Sequence, residues 1–130
     1  MREARPDRRI RKRAEYLAIQ ASGRRVMTRS FVLLLRVRDG ATGARFGITV
    51  SRKVGGAVQR NRAKRLIREA FRAVSSLFAD DIDVVVIVRR PLGDAKLTDV
   101  IAEWERAKNA ISAETRRARG GATALKDNSS

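Results

Sequence analysis

One stretch constrains the fold more than any other. Ala63, Leu66, Ile67, Ala70, Phe71, Val74, Leu77 and Phe78 recur at i, i+3, i+4, i+7, i+8, i+11, i+14 and i+15. Only an α-helix gathers that spacing into one stripe, and the stripe has to be buried against another layer. Each Leu, Ile or Phe fully buried there contributes about 1.5–3 kcal/mol. Asn61, Lys64, Arg65, Arg68 and Arg72 fall on the opposite side. Only Arg65 has an i,i+4 glutamate, Glu69, which is too little to make a neutral, salt-bridged exterior.

The second layer is legible as strands. Between Phe31 and Val37, residues 31, 33, 35 and 37 point one way and Val32, Leu34 and Arg36 the other; from Arg45 to Ser51, Phe46, Ile48 and Val50 alternate with Arg45, Gly47, Thr49 and Ser51. The turn residues Asp39-Gly40-Ala41-Thr42-Gly43 between the two predict a hairpin whose outward rows form one exposed sheet face. Ile82 to Val88 is apolar with little alternation, so it reads as a strand covered on both faces and joined to the preceding strand through the long helix. Upstream, Ile10, Ala14, Leu17, Ala18 and Ala21 predict a short basic helix from Arg8 to Ala21, closed by Gly23. Downstream of Pro91, Thr98 is the expected N-cap of a helix whose stripe runs through Leu97, Val100, Ile101, Trp104, Ala107 and Ile111, with Trp104 in the core. Asp80, Asp81 and Asp83 read as a solvated acidic cap rather than a metal cluster. The order α-β-β(-β)-α-β-α gives an α+β two-layer sandwich, with a mixed sheet and its helices packed on one face. Residues 1–115 form one domain, and 116–130 are expected to be a disordered tail.

Charge and missing residue types narrow the function. The net charge of +16 over 130 residues lies wholly in the first 79 positions, which hold 21 basic and 5 acidic residues against 9 and 9 thereafter. A one-sided excess of that size is the electrostatic footprint of a phosphate-binding surface, so nucleic acid is the first partner to consider. With no Cys and no His there is no disulfide, zinc ribbon, thiol nucleophile or imidazole acid/base pair. The longest apolar runs are five residues, far short of the roughly twenty that span a bilayer. These features predict a soluble protein of a reducing compartment, without membrane association. The Arg-rich, acid-poor N-terminus has a transit-peptide composition, but its apolar spacing assigns it to the fold.

The run from Ser51 to Phe71, SRKVGGAVQRNRAKRLIREAF, resembles the signature of the protein subunit of bacterial ribonuclease P, with its Arg-Asn-Arg box at Arg60-Asn61-Arg62. The basic first helix, Phe31-Val32-Leu33, the segment from Phe46 to Ser51 and that from Val86 to Pro91 extend the likeness over residues 8 to 112. The resemblance implies a ribosomal protein S5 domain 2-like fold and an accessory role in a ribonucleoprotein endonuclease. No catalytic residue would lie in the protein. The RNA subunit would hold Mg²⁺ and hydrolyse the phosphodiester that joins the 5′ leader to precursor tRNA. The resemblance places Arg52, Lys53, Arg60, Asn61, Arg62, Lys64, Arg65 and Arg68 against the catalytic RNA. It places Tyr16, Val32, Leu34 and Thr49 in a leader-binding cleft between the first helix and the open sheet face, with Gln20 and Leu34 where the family commonly has further aromatics. The implied partners are the catalytic RNA and precursor tRNA in the cytoplasm, with no obligate protein partner and no metal site in the chain. Composition alone would equally suit a structural RNA-binding protein such as a ribosomal component. A protein-only nuclease would need clustered carboxylates, and Glu3, Asp7, Glu15, Asp39 and Glu69 are scattered.

Overall fold

The computed structural model describes residues 9–10, 12–40 and 43–128. The expected helix start at Arg8, Arg11 within that helix, Ala41 and Thr42 of the expected turn, and the ends of the chain at 1–8 and 129–130 lie outside the described residues. The elements are α1 (Arg13–Ser22), β1 (Arg24–Met27), β2 (Phe31–Val37), β3 (Arg45–Thr49), α2 (Ala57–Ala73), β4 (Ile82–Val88), α3 (Leu97–Arg106) and α4 (Lys108–Asn128).

The sheet order is β1-β2-β4-β3, antiparallel except for the β3/β4 pair. β2 and β3 therefore do not form the expected hairpin. The reason lies in β4, which is buried along nearly its whole length and needs a strand on each side as well as cover on each face. It inserts between β2 and β3, and α2 supplies the crossover that a parallel pair requires. β1 is the additional strand, on the open edge beside β2.

α2, α3 and α4 cover one face. Phe31, Leu33 and Leu35 of β2, together with Val84, Val86 and Val88 of β4, meet Leu66, Ile67, Ala70 and Phe71 of α2 and Trp104 of α3. The rings interlock: Phe71 lies 4.5 Å from Phe46 and 5.4 Å from Phe78, and Trp104 meets Phe31 and Phe78 edge-on. α1 takes the opposite face, where Ile10 and Ile19 pack on Val32, Leu34 and Val85. One-sided helix packing thus describes three of the four helices among the described residues.

Several local expectations are corrected. α1 begins at Arg13, because Ile10 is spent in an extended lead-in whose N–H donates to the Phe46 carbonyl at 2.8 Å. A stripe counted from Ile10 therefore has the wrong phase: Ile19 is buried, whereas Leu17 is 48% exposed. α2 ends at Ala73, and its stripe continues through a 3-10 turn, Ser75–Leu77. Thr98 is not the N-cap of α3. Lys96 is, with its backbone N–H donating to the Asp99 carboxylate at 2.8 Å. The downstream stripe is split at Ala107 into α3 and α4. α4 then runs through the stretch expected to be disordered, docked by buried Thr115 and by Arg119, whose guanidinium donates to both Asp81 oxygens at 2.9 and 2.7 Å.

In the acidic turn Asp80 is exposed as expected, but Asp83 is not solvated. Asp83 is 4% exposed and accepts from Arg38 Nε at 2.9 Å and from Arg45 Nε and Nη2 at 3.0 and 2.8 Å. Arg45 also donates to Glu15 of α1 at 3.0 Å, which ties that helix to the sheet. A buried carboxylate is tolerable only with such partners. Asp83 and, less strongly, Glu15 hold the Arg45 guanidinium above its ordinary pKa, so it stays charged under all ordinary conditions.

Phe71 is 1% exposed between two aromatic rings. Phe71→Ala is expected to cost about 3–5 kcal/mol in chemical or thermal unfolding; unchanged stability would contradict the helix phase.

Candidate nucleic-acid interface

The approach to α2 is set by backbone. Gly55 has φ +150°, and a Cβ there would sit 2.9 Å from the Gln59 Cβ. Gly56 is the N-cap without a side-chain cap, and the first turn contains no acid. The first amides and the positive end of a 17-residue helix are therefore left uncompensated, an arrangement suited to anions. Arg52 and Lys53 are exposed on the 3-10 turn Arg52–Val54, which buried Val54 anchors. Asn61 and Arg65 are exposed, and Lys64 and Arg68 are half-buried further along the helix.

Not all eight expected RNA contacts are equally available. Arg60 donates through Nη1 to the Gly55 carbonyl at 2.9 Å, stitching the turn to the helix. Arg62 donates to the Gly93 carbonyl at 3.1 Å and to that of Ala95, so its guanidinium ties the β4–α3 loop to α2. Arg68 has a buried Nε without a hydrogen-bond partner among the described residues. Its head lines a cleft of about 180 Å³ with Lys64, Tyr16, Gly47 and Ile48, along the outer edge of β3, where residues 9–10 bridge to Phe46.

Tyr16 lies directly on Gly47, where a Cβ would come within 2.6 Å of the ring. Its hydroxyl donates to the Ile48 carbonyl at 2.9 Å. Burial pushes the phenol pKa up, against the weaker opposing pull of the bonds to Ile48 and Thr49. Strand register puts Met27, Val32, Ile87 and Thr49 in one row on this face, with Arg25, Leu34, Val85 and Gly47 in the next. α1 covers much of both rows. Val32 and Leu34, expected on an open floor, are 9% and 4% exposed because Ile19 needs them as its own burial surface. What remains open is the end of the first row: Met27 at 55% exposure and half-buried Ile87 and Thr49, with Leu17 and Gln20 exposed on α1. Met27, Gly47 and the tie made by Arg62 were not anticipated from sequence. Of these only Gly47 carried a signal, a glycine inside an alternating strand, which marks close approach.

A family model described as Ribonuclease P matches residues 5–112. The ribonuclease P protein component of Oleidesulfovibrio alaskensis is 41% identical over 103 residues, covering 78% of this chain and 82% of the relative. That of Shouchella clausii is 38% identical over 99 residues, covering 76% and 81%. Among solved structures, the RNase P protein of Staphylococcus aureus superposes with a TM-score of 0.67 at 35% identity, covering 76% of this chain and 90% of that one. The Thermotoga maritima protein gives 0.68 at 33%, covering 75% and 92%.

The chain has a single tyrosine, so absorbance titration reports one group. A folded-state pKa above the ordinary value of about 10 means that the packing of the neutral phenol contributes stability below pH 10, lost as pH rises through the folded midpoint. The native midpoint is expected above that of the denatured chain. A native midpoint at or below it would contradict the seating of the ring on Gly47.

Proposed function

Because the chain belongs to the ribonuclease P protein family, we propose that it grips the catalytic RNA through the N-terminal half of α2 and guides the 5′ leader of precursor tRNA into the groove between α1 and the open end of the sheet. It thereby supports Mg²⁺-dependent endonucleolytic removal of the leader in the cytoplasm. The observation that carries this reading is the adjacency of two surfaces on the β3 edge. The uncapped, acid-free start of α2 offers Arg52, Lys53, Asn61 and Arg65 to a folded RNA, and Lys64 and Arg68 line the same cleft as Tyr16.

The division of labour follows from the chain's own chemistry. Guanidinium forks match phosphate oxygens, and a folded RNA is recognised by shape and backbone. Lys64 and Arg68 take the leader's phosphates, while the exposed edge of Tyr16 and the apolar patch around Met27 and Ile87 receive its bases. Holding the leader in register with an RNA active centre accelerates cleavage by positioning alone, without an acid or base from the protein. Mg²⁺ would supply Lewis-acid activation and a nucleophilic water from the RNA side. In this chain Asp81, Asp83 and Glu114 are each engaged by guanidinium groups.

Cleavage of a 5′-labelled precursor tRNA by a bacterial ribonuclease P RNA at low millimolar Mg²⁺, with and without this protein, tests the proposal. Intact leader is expected to be released faster when both subunits are present, and not at all by the protein alone. RNA binding without stimulation would favour a structural RNA-binding role instead, and cleavage by the protein alone would overturn the accessory role.

A further inference from the structure

The register places four chain segments at one end of the sheet. Met27 pairs with Val32, Phe31 with Val88, and Thr49 with Ile87, so the β1–β2 turn, the exit of β4, the exit of β3 and the start of α2 all emerge together. Beside the α2 surface this end has a second concavity, a cleft of about 320 Å³ between the β1–β2 turn, the β4–α3 loop and α3. Arg29, Arg90 and Arg106 line it, one from each element. None of the three side chains makes a hydrogen bond or ion pair among the described residues.

The two carboxylates in the cleft are committed elsewhere. Glu103 accepts from the Thr28 hydroxyl at 2.5 Å and the Ser30 amide at 2.6 Å, fixing the turn that presents Arg29. Asp99 caps α3. The neighbouring Arg89 is also structural, donating to the Thr28 carbonyl at 2.6 Å. Arg62 bonds the 93–95 segment to α2, so the cleft and the cationic helix share one frame. The fold thus builds the walls from satisfied groups and leaves three guanidinium heads unspent.

We propose that the Arg29–Arg90–Arg106 cleft is a phosphodiester-binding subsite that carries an RNA backbone onward from α2 across the end of the sheet. The inference rests on the reading that this chain binds RNA. Guanidinium groups fork onto phosphate oxygens. Three exposed arginines would hold a single free phosphate weakly, whereas a strand already bound at α2 presents its next phosphates at high effective concentration. The subsite therefore adds to RNA affinity as an extension and not as an independent anion site.

The test is affinity for a ribonuclease P RNA across a range of salt. The parent is compared with Arg29→Ala/Arg90→Ala and with Arg36→Ala/Arg116→Ala. The control pair removes the same charge from exposed positions toward the other end, on β2 and α4. Each lost phosphate contact lowers the slope of log affinity against log salt by about 0.7–0.9. The first pair is expected to flatten the slope by about one and a half units and the control pair to leave it unchanged. Arg106→Gln, a milder change, is expected to flatten it by about one unit. Equal behaviour of the two pairs beside a tightly binding parent would overturn the subsite alone. A parent without salt-dependent RNA affinity would overturn the RNA-binding reading as well.

Discussion

The architecture depends on one strand that has no polar side to show. β4 is buried on both faces, and its neighbours follow from that requirement. It needs hydrogen-bonding partners on each edge, so β2 and β3 are held apart. It needs apolar cover above and below, so α2, α3 and α4 take one face and α1 the other. The parallel pairing of β3 with β4 forces a crossover, and the crossover is α2. The helix that carries most of the candidate RNA-binding cations is therefore positioned by the core, and its start is delivered to the end of the sheet where the strands exit.

The α1 face is held by polar contacts as well as by its apolar side chains. Glu15, Arg45, Asp83 and Arg38 form a chain of charge-assisted hydrogen bonds from α1 into the sheet, and Tyr16 closes on Gly47 just beyond it. These contacts fix the width of the groove beside α1. A preorganised groove spares a single-stranded ligand the cost of ordering its receptor. α4 is clamped in the same manner, by Arg24 on Glu114 and by Arg119 on Asp81, and both carboxyls are held below their ordinary pKa by those bonds.

The elements with strong periodicity were legible from sequence. The stripe of α2, the burial of β4 and the core position of Trp104 all follow from spacing, because each is decided by apolar burial within one element. Pairing was not legible. The turn residues at 39–43 suit a hairpin, and only the two-sided burial of β4 shows why β2 and β3 are neighbours in sequence but not in the sheet. The phase of α1 is not legible because Ile10 belongs to an extended lead-in bridged to β3 and not to the helix. That α4 continues past residue 115 is not legible, because the contact that docks it there, Arg119 on Asp81, is too sparse to leave a pattern. At the interface, residue type indicated the cationic face of α2. It did not reveal that Arg62 and Arg60 turn back onto loop carbonyls, since arginines that organise a loop and arginines that meet a phosphate look alike in sequence.

As proposed, the chain is a rigid platform whose RNA-facing side comprises α2 and the end of the sheet where the strands exit. Amide hydrogen exchange of the protein, free and bound to a ribonuclease P RNA, tests it most directly. Exchange is expected to slow in residues 52–68, 28–30 and 89–96 and to stay unchanged in residues 36–40 and 79–83 at the other end. Slowing confined to the 36–40 and 79–83 segments would place the RNA on the opposite end and contradict that proposal.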